Sequence, residues 1–304
     1  MFDSLINLMG MMFFLILVGF ILRKKQTITD SGRKTLTDMI LQVVIPANII
    51  KAFCSPLESG LSSFGILLII GILINGFYIL LSKYIFYKFT EQERPVYQYG
   101  TVCPNAGFIG NPLVEGVFGI QALTYASVCM LPARIVMWTA GVSYFNKNED
   151  KKAAYKKVFT SPAMVATYIG LIIMIFKLTV PSVLGVTIKS LSDCTTALTM
   201  MYVGTILADV EIKGLINIKI LFYCLLRLVL IPLAIFVVCR CFNVDPLIIG
   251  VCVLLSATPA GSTTSLLAAK YGADQKIATK VVVVSTMLSI ITIPIWSVIL
   301  LRII

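Results

Sequence analysis

The chain has 304 residues, of which 58% are hydrophobic and only 13% charged, with a formal net charge of +11 and no histidine. A soluble domain carries about 25% charged residues, so the composition excludes that class and points to a multi-span helical membrane protein; continuous rather than alternating apolar runs exclude an outer-membrane barrel. The absence of histidine removes most metal sites and most general-base schemes, and the positive charges gather in loops between apolar runs, which argues against a nucleic-acid surface.

Ten apolar runs follow in chain order, each near the length that crosses the hydrocarbon core. The first, Leu5–Leu22, has no basic segment before it and Arg23-Lys24-Lys25 after it, the pattern of a retained span rather than a cleaved signal peptide. The second, Leu36–Phe53, contains Pro46-Ala47-Asn48, read as a mild kink, and the third is Phe64–Tyr87. The fourth, Val96–Phe118, is interrupted by Val102-Cys103-Pro104-Asn105-Ala106-Gly107-Phe108-Ile109-Gly110-Asn111-Pro112. Proline removes a backbone donor and clashes with the preceding turn, and glycine permits the broken conformation. The fifth, Gln121–Phe145, carries Arg134 just after Pro132.

A polar loop, residues 146–160, then divides the chain at its middle. The second half supplies Ser161–Leu178, Ile188–Leu207 with Asp193, Ile216–Cys241 with Arg227, Pro246–Tyr271 and Ile277–Ile299. The ninth run is interrupted by Ser256-Ala257-Thr258-Pro259-Ala260-Gly261-Ser262-Thr263-Thr264. An offset of 154 residues pairs Ala106 with Ala260, Gly107 with Gly261 and Gln121 with Gln275. Five spans on each side of the loop invert the second half relative to the first. Paired breaks in matching positions of two halves mark a secondary transporter's binding site.

The fold expected is therefore an all-α integral membrane protein of ten transmembrane helices. Two inverted five-helix repeats, 1–145 and 161–304, flank a cytoplasmic loop, with broken helices 4 and 9 crossing near the midplane. Lys and Arg crowd the odd-numbered loops: Arg23, Lys24, Lys25, Arg33 and Lys34; Lys88 and Arg94; Lys147, Lys151, Lys152, Lys156 and Lys157; Lys213; Lys276. Those loops are expected in the cytoplasm, with both termini outside.

The start of each second half-helix carries positive partial charge and free N–H groups, which suit a carboxylate. Pro104, Asn105, Ala106, Gly107 and Asn111, with Pro259, Ala260, Gly261, Ser262 and Thr263, are the candidate substrate residues. Each asparagine read alone is a cap or turn former; each hydroxyl read alone bonds back to its own helix. Ionisable residues inside spans default to function. Arg134 either supplies charge to an anion or pairs with Glu115, whereas Arg227 reads as structural. Glu115 and Asp193 are candidates for proton or ion coupling, or for ion pairs. Lys51, Lys177 and Lys189 near span ends read as snorkelling. The eight cysteines show no CxxC spacing and read as small buried residues, not ligands or disulfides. No metal site, cofactor motif or catalytic set is found, and Gly32-Arg33-Lys34-Thr35 lacks the first glycine of a P-loop.

Pro104-Asn105-Ala106-Gly107-Phe108-Ile109-Gly110-Asn111-Pro112 in span 4 resembles the auxin efflux carrier family, in its bacterial branch related to the plant PIN-type carriers. Ala257-Thr258-Pro259-Ala260-Gly261 with the following Ala268-Ala269-Lys270-Tyr271-Gly272-Ala273-Asp274, and the ten-span pattern, carry the same resemblance over the whole chain. It implies a transporter domain from spans 3–5 and 8–10 on a dimerising scaffold of spans 1, 2, 6 and 7, and substrate at an X-shaped crossing of spans 4 and 9. Pro104 and Pro259 then stand at the breaks and Asn105 matches the family's substrate-contacting asparagine. Arg134, four residues before Trp138, takes the place of a polar residue near the plant carriers' site, a departure that bears on auxin as substrate. Bacterial relatives are associated with small carboxylates such as malate or malonate.

The function expected is secondary active or facilitative transport of a small organic anion across the cell membrane by an elevator mechanism, in a homodimer embedded in the bilayer. A sodium-coupled symporter of the bile-acid carrier type is the alternative within the superfamily. A membrane sensor module is the alternative from another class.

Overall fold

The computed structural model describes residues 2–54, 62–145, 156, 159–209 and 217–303. Lys147, Lys151, Lys152, Lys157 and Lys213, on which part of the orientation argument stands, lie outside them. Among the described residues the secondary structure is helical, with one isolated β-bridge. The helices are α1 (Phe2–Lys24), α2 (Asp30–Cys54), α3 (Ser62–Ile85), α4 (Arg94–Val102), α5 (Asn111–Phe118), α6 (Ile120–Trp138), α7 (Pro162–Ile175), α8 (Ser182–Ala208), α9 (Ile218–Cys241), α10 (Pro246–Ser256), α11 (Thr263–Tyr271) and α12 (Gln275–Leu301). Five described helices are long and apolar enough to cross a membrane: Asp30–Cys54, Phe64–Ile85, Ile120–Ser143, Ile218–Cys241 and Gln275–Leu301.

Local sequence explains the helix ends. Asp245 accepts from the N–H groups of Leu247 and Ile248 at 2.9 and 3.2 Å, and Pro246 opens α10, where its missing donor is not needed. Asp274 caps α12 through Ile277 N–H at 2.9 Å. Gly272 ends α11 in the left-handed conformation at φ +73°, which glycine adopts at no steric cost.

Three helical segments contain a π turn: Ile40–Val44, Ala106–Gly110 and Leu226–Leu230. Each ends two residues before a proline, namely Pro46, Pro112 and Pro232. A proline inside a helix cannot donate to the carbonyl four residues back, and its ring presses on that carbonyl. The wider turn relieves the contact. For Pro232 the orphaned carbonyl is that of Leu228, and the Trp296 indole N–H donates to it at 2.9 Å. The kink expected at Pro46 takes this form, and the helix continues beyond it.

The chain divides into two compact units. The first comprises Met1–Ser59, Gly107–Ser127 and Phe159–Val210. In it the backbones of α1 and α8 touch. A Cβ on Gly19 would lie 2.0 Å from the Met201 carbonyl oxygen, and one on Gly204 would lie 2.0 Å from that of Ile16. At one end of this pair Arg23 donates to Asp209 at 2.7 Å and to Asp30 at 2.6 Å, and Arg33 also bonds Asp209.

The second unit comprises Gly60–Ala106, Val128–Val158 and Glu211–Ile304. Its interior holds a cluster of Phe86, Phe89, Tyr97 and Tyr223 rings, with centroids 4.9–6.4 Å apart. Lys219 closes one edge by donating to Glu93 at 2.8 Å. An apolar cavity of about 330 Å³ is lined by Ile70, Leu73 and Phe77 of α3 and by Ile235, Val238 and Phe242 at α9. Large apolar side chains are exposed along α1, α3, α7 and α9, as a lipid-facing surface requires.

Candidate functional site

The two breaks expected from sequence are present, and in the second unit they meet. Helix α4 stops at Val102, and Cys103 leaves helical geometry at φ −117°, ψ 78°. Helix α10 stops at Ser256, and α11 resumes at Thr263. Between them the two extended stretches pair antiparallel. Asn105 N–H donates to the Pro259 carbonyl at 2.8 Å, Gly261 N–H donates to the Cys103 carbonyl at 3.0 Å, and Pro104 stands opposite Ala260. Backbone groups that each broken helix frees are thus satisfied by the other break, the condition for irregular backbone at membrane depth. A Cβ on Gly261 would come 2.8 Å from the Cys103 carbonyl oxygen, so only glycine permits this approach.

Side chains fix the pair from three directions. Tyr99 on α4 donates its hydroxyl proton to Thr263 at 3.1 Å. Ala260 N–H donates to the Ser285 hydroxyl of α12 at 3.2 Å. Gly100 and Gly141 leave room for neighbouring rings: a Cβ at Gly100 would lie 2.8 Å from the Tyr223 hydroxyl, and one at Gly141 would lie 3.0 Å from the Tyr99 ring.

The candidates from sequence fall as follows. Pro104, Asn105, Ala106, Pro259, Ala260, Gly261, Ser262 and Thr263 are brought together at the paired breaks. Asn105 is buried and its side chain makes no hydrogen bond among the described residues. Arg134 is buried in α6, also in the second unit. Gly107 and Asn111 belong to the first unit, as do Glu115 and Asp193. Asn111 is fully buried, and neither atom of its amide has a hydrogen-bond partner among the described residues.

Glu115 and Asp193 are joined through one cation. Lys51 donates to Glu115 at 3.3 Å and to Asp193 at 3.0 Å, and Lys189 donates to Asp193 at 2.7 Å. Asn48 donates to both Glu115 and the Ser192 hydroxyl at 3.0 Å. Asp193 pairs, as expected, with lysines near span ends, Lys51 and Lys189, which therefore do more than snorkel, and Glu115 pairs with Lys51 rather than with Arg134. These side chains are partly exposed, so each pair contributes on the order of 1 kcal/mol or less.

Sequence reasoning missed two groups. Tyr99 and Ser285 bond the breaks from helices whose sequences give no hint of that contact. Arg227, read as structural, is fully buried on the π turn of α9, and none of its guanidinium nitrogens has a hydrogen-bond partner among the described residues. The cysteines are free, as expected, but Cys54, Cys194 and Cys241 are exposed rather than buried.

Comparison with known proteins finds relatives among membrane transporters. The profile of a family described as membrane transport protein matches residues 5–297. An uncharacterized transporter of Methanocaldococcus jannaschii is 25% identical, over 95% of this chain and 96% of its own length. An uncharacterized transporter of Methanothermobacter thermautotrophicus is 24% identical over 94% and 95%. The uncharacterized transporter YfdV of Escherichia coli K12 is 18% identical over 93% of both chains.

Proposed function

The chain belongs to the membrane transport protein family, that of the auxin efflux carriers, and from that premise we propose that it carries a small organic anion across the cell membrane by alternating access at the paired breaks. The observation that supports this reading most is the antiparallel contact of Cys103–Asn105 with Pro259–Gly261. Interrupted helices in two halves of a carrier offer half-helix N-termini to an anionic group. Each N-terminus supplies roughly half a positive charge and unpaired donors. Asn105, buried and with an uncommitted amide, orients the carboxylate. Thr263, held by Tyr99, is the weaker contact, and Arg134 adds net charge.

In this reading the helices form ten spans as two inverted five-helix repeats, with the odd-numbered loops in the cytoplasm. Spans 3–5 and 8–10 slide against a scaffold of spans 1, 2, 6 and 7, through which two copies associate. The Lys51–Glu115–Asp193 network serves ion coupling or scaffold integrity.

Flux of labelled malonate and malate into proteoliposomes, with and without imposed pH and sodium gradients, tests the proposal. Saturable carboxylate flux is expected, and Asn105→Ala weakens apparent binding by about 1–3 kcal/mol, the range for losing a hydrogen bond to a charged group. Equal transport of a neutral amide analogue contradicts the anion reading. Unchanged flux in folded Asn105→Ala places the substrate elsewhere. Dependence on a sodium gradient selects the symporter form.

A further inference from the structure

Arg227 is the largest fully buried side chain among the described residues, and its Nε, Nη1 and Nη2 atoms have no hydrogen-bond partner there. A guanidinium presents five donors and remains charged at any physiological pH. Placing it in a protein interior without an anion or acceptor costs several kcal/mol, by the general penalty for burying a charge. The guanidinium carbon lies 5.1 Å from the centroid of the Tyr78 ring. A cation–π contact at a desolvated site is worth about 2 kcal/mol, which leaves the donors themselves unsatisfied.

The surroundings repeat the pattern. Tyr223, one turn earlier on α9, is fully buried, and its hydroxyl also has no partner. That hydroxyl lies against Gly100, one turn before Cys103 on α4. Asn75, one turn from Tyr78 on α3, holds Gly71 through its amide nitrogen at 2.7 Å and keeps a buried carbonyl oxygen without a donor. The Cys103 carbonyl in turn receives Gly261 N–H at the paired breaks. All these residues belong to the second unit. The carboxylates paired with Lys51 belong to the first, and among the described residues no carboxylate is hydrogen-bonded to Arg227.

We propose that Arg227, assisted by the Tyr223 hydroxyl, is the charge-recognising element for the transported anion, receiving a carboxylate of the substrate beside the paired breaks. This rests on the reading of the protein as an anion transporter and assigns its charge selectivity to a residue outside both breaks. A planar guanidinium meets a carboxylate through two parallel N–H···O bonds, and the π turn before Pro232 holds Arg227 on α9. Because Arg227 is fully buried, the helices around it must separate for the anion to enter and leave.

The test is equilibrium binding of malonate and of its neutral diamide, malonamide, to the purified full chain in nanodiscs. Wild type is expected to prefer malonate. Arg227→Gln is expected to lose at least tenfold in malonate affinity with malonamide binding unchanged, and Tyr223→Phe to lose about threefold. Arg227→Lys keeps the charge without the planar fork and falls between the two, and it carries the test if the glutamine variant does not fold. A folded Arg227→Gln that retains the wild-type preference, while Asn105→Ala loses it, overturns the assignment to Arg227 and leaves the anion reading standing. Wild type binding malonamide as tightly as malonate overturns the anion reading and this assignment together.

Discussion

The two units differ at one charge each on an apolar helix: Lys51 in the first is partly exposed and paired with carboxylates, whereas Arg227 in the second is fully buried with no hydrogen-bond partner among the described residues. In the first, every charge placed on an apolar helix near Lys51 has a counter-charge: Lys51 serves Glu115 and Asp193, and Asn48 and Ser192 take up further hydrogen-bonding capacity. The same unit brings α1 and α8 into backbone contact at Gly19 and Gly204. In the second, Arg227 and Tyr223 are buried with polar atoms that no neighbour satisfies, beside helices that break at Pro104 and Pro259. Among the described residues, neutral polar atoms without a hydrogen-bond partner occur in both units, Asn111 and the Asn48 Oδ1 atom in the first among them, so the contrast is one of charge, and a unit whose charges are paired suits a fixed support. A unit that keeps unsatisfied donors next to broken backbone sets stability aside for recognition, the trade seen where strain and unpaired groups cluster at working sites.

The largest effect should come from breaking the close contact in the first unit. Gly204→Ala places a methyl group where the Ile16 carbonyl stands, and both atoms belong to backbone that cannot step aside. A loss of about 3 kcal/mol is expected from such overpacking, measured as a drop in thermal midpoint of the purified protein. Wild-type stability in this variant would remove the rigid-support half of the comparison.

The next pair of substitutions sharpens the contrast by sign. Arg227→Met should raise stability in the absence of anion by about 2 kcal/mol, because it replaces an uncompensated buried charge with an apolar chain of similar length. Lys51→Met should lower it by about 1 kcal/mol, because two partly exposed carboxylates lose their shared cation. Equal signs would mean that the two charges play the same part.

Not all of this was legible in the sequence. The breaks were, because prolines, glycines and polar residues are crowded within a few positions at each, a density that disfavours a regular helix; a lone proline does not suffice, since Pro132 and Pro294 lie inside helices. The π turns follow from proline in the same way, though only the structure shows that the helix widens rather than ends. Asn105 was singled out correctly as a polar group at a break, and the structure adds that its amide is buried. The Tyr99–Thr263 and Ala260–Ser285 bonds were not legible, since each joins residues far apart in the chain with no periodic signature. Gly19 and Gly204 look like any lone glycines in spans until the facing backbone is known. For Arg227 the sequence shows a charge in a span but not its neighbours, and only the neighbours separate a structural arginine from one that lacks a partner.

A smaller effect concerns the edge of the second unit. Burial alone pushes the Glu93 carboxyl upward, but hydrogen bonds from Lys219 and Thr90 outweigh it and hold the group below the usual carboxylate range. A group whose folded pKa is depressed stabilises the fold above its unfolded pKa, about 4.3 for glutamate, and loses that contribution as pH falls through the folded value. Glu93→Gln should therefore cost about 0.5 kcal/mol at neutral pH, and its unfolding midpoint should converge with that of wild type as the pH drops below 4. A constant difference down to pH 3 would show that Glu93 acts through packing instead.

The central claim, that a substrate anion completes the unsatisfied groups of the second unit, is tested most directly by thermal unfolding of wild type and Arg227→Met in increasing malonate. A ligand that binds the folded state alone stabilises it by about 2.7 kcal/mol at a hundredfold excess over Kd. The account predicts a malonate-dependent rise in the wild-type midpoint and none in Arg227→Met, although the variant starts higher. The same rise in both proteins, or a variant that starts lower and does not respond, would contradict it.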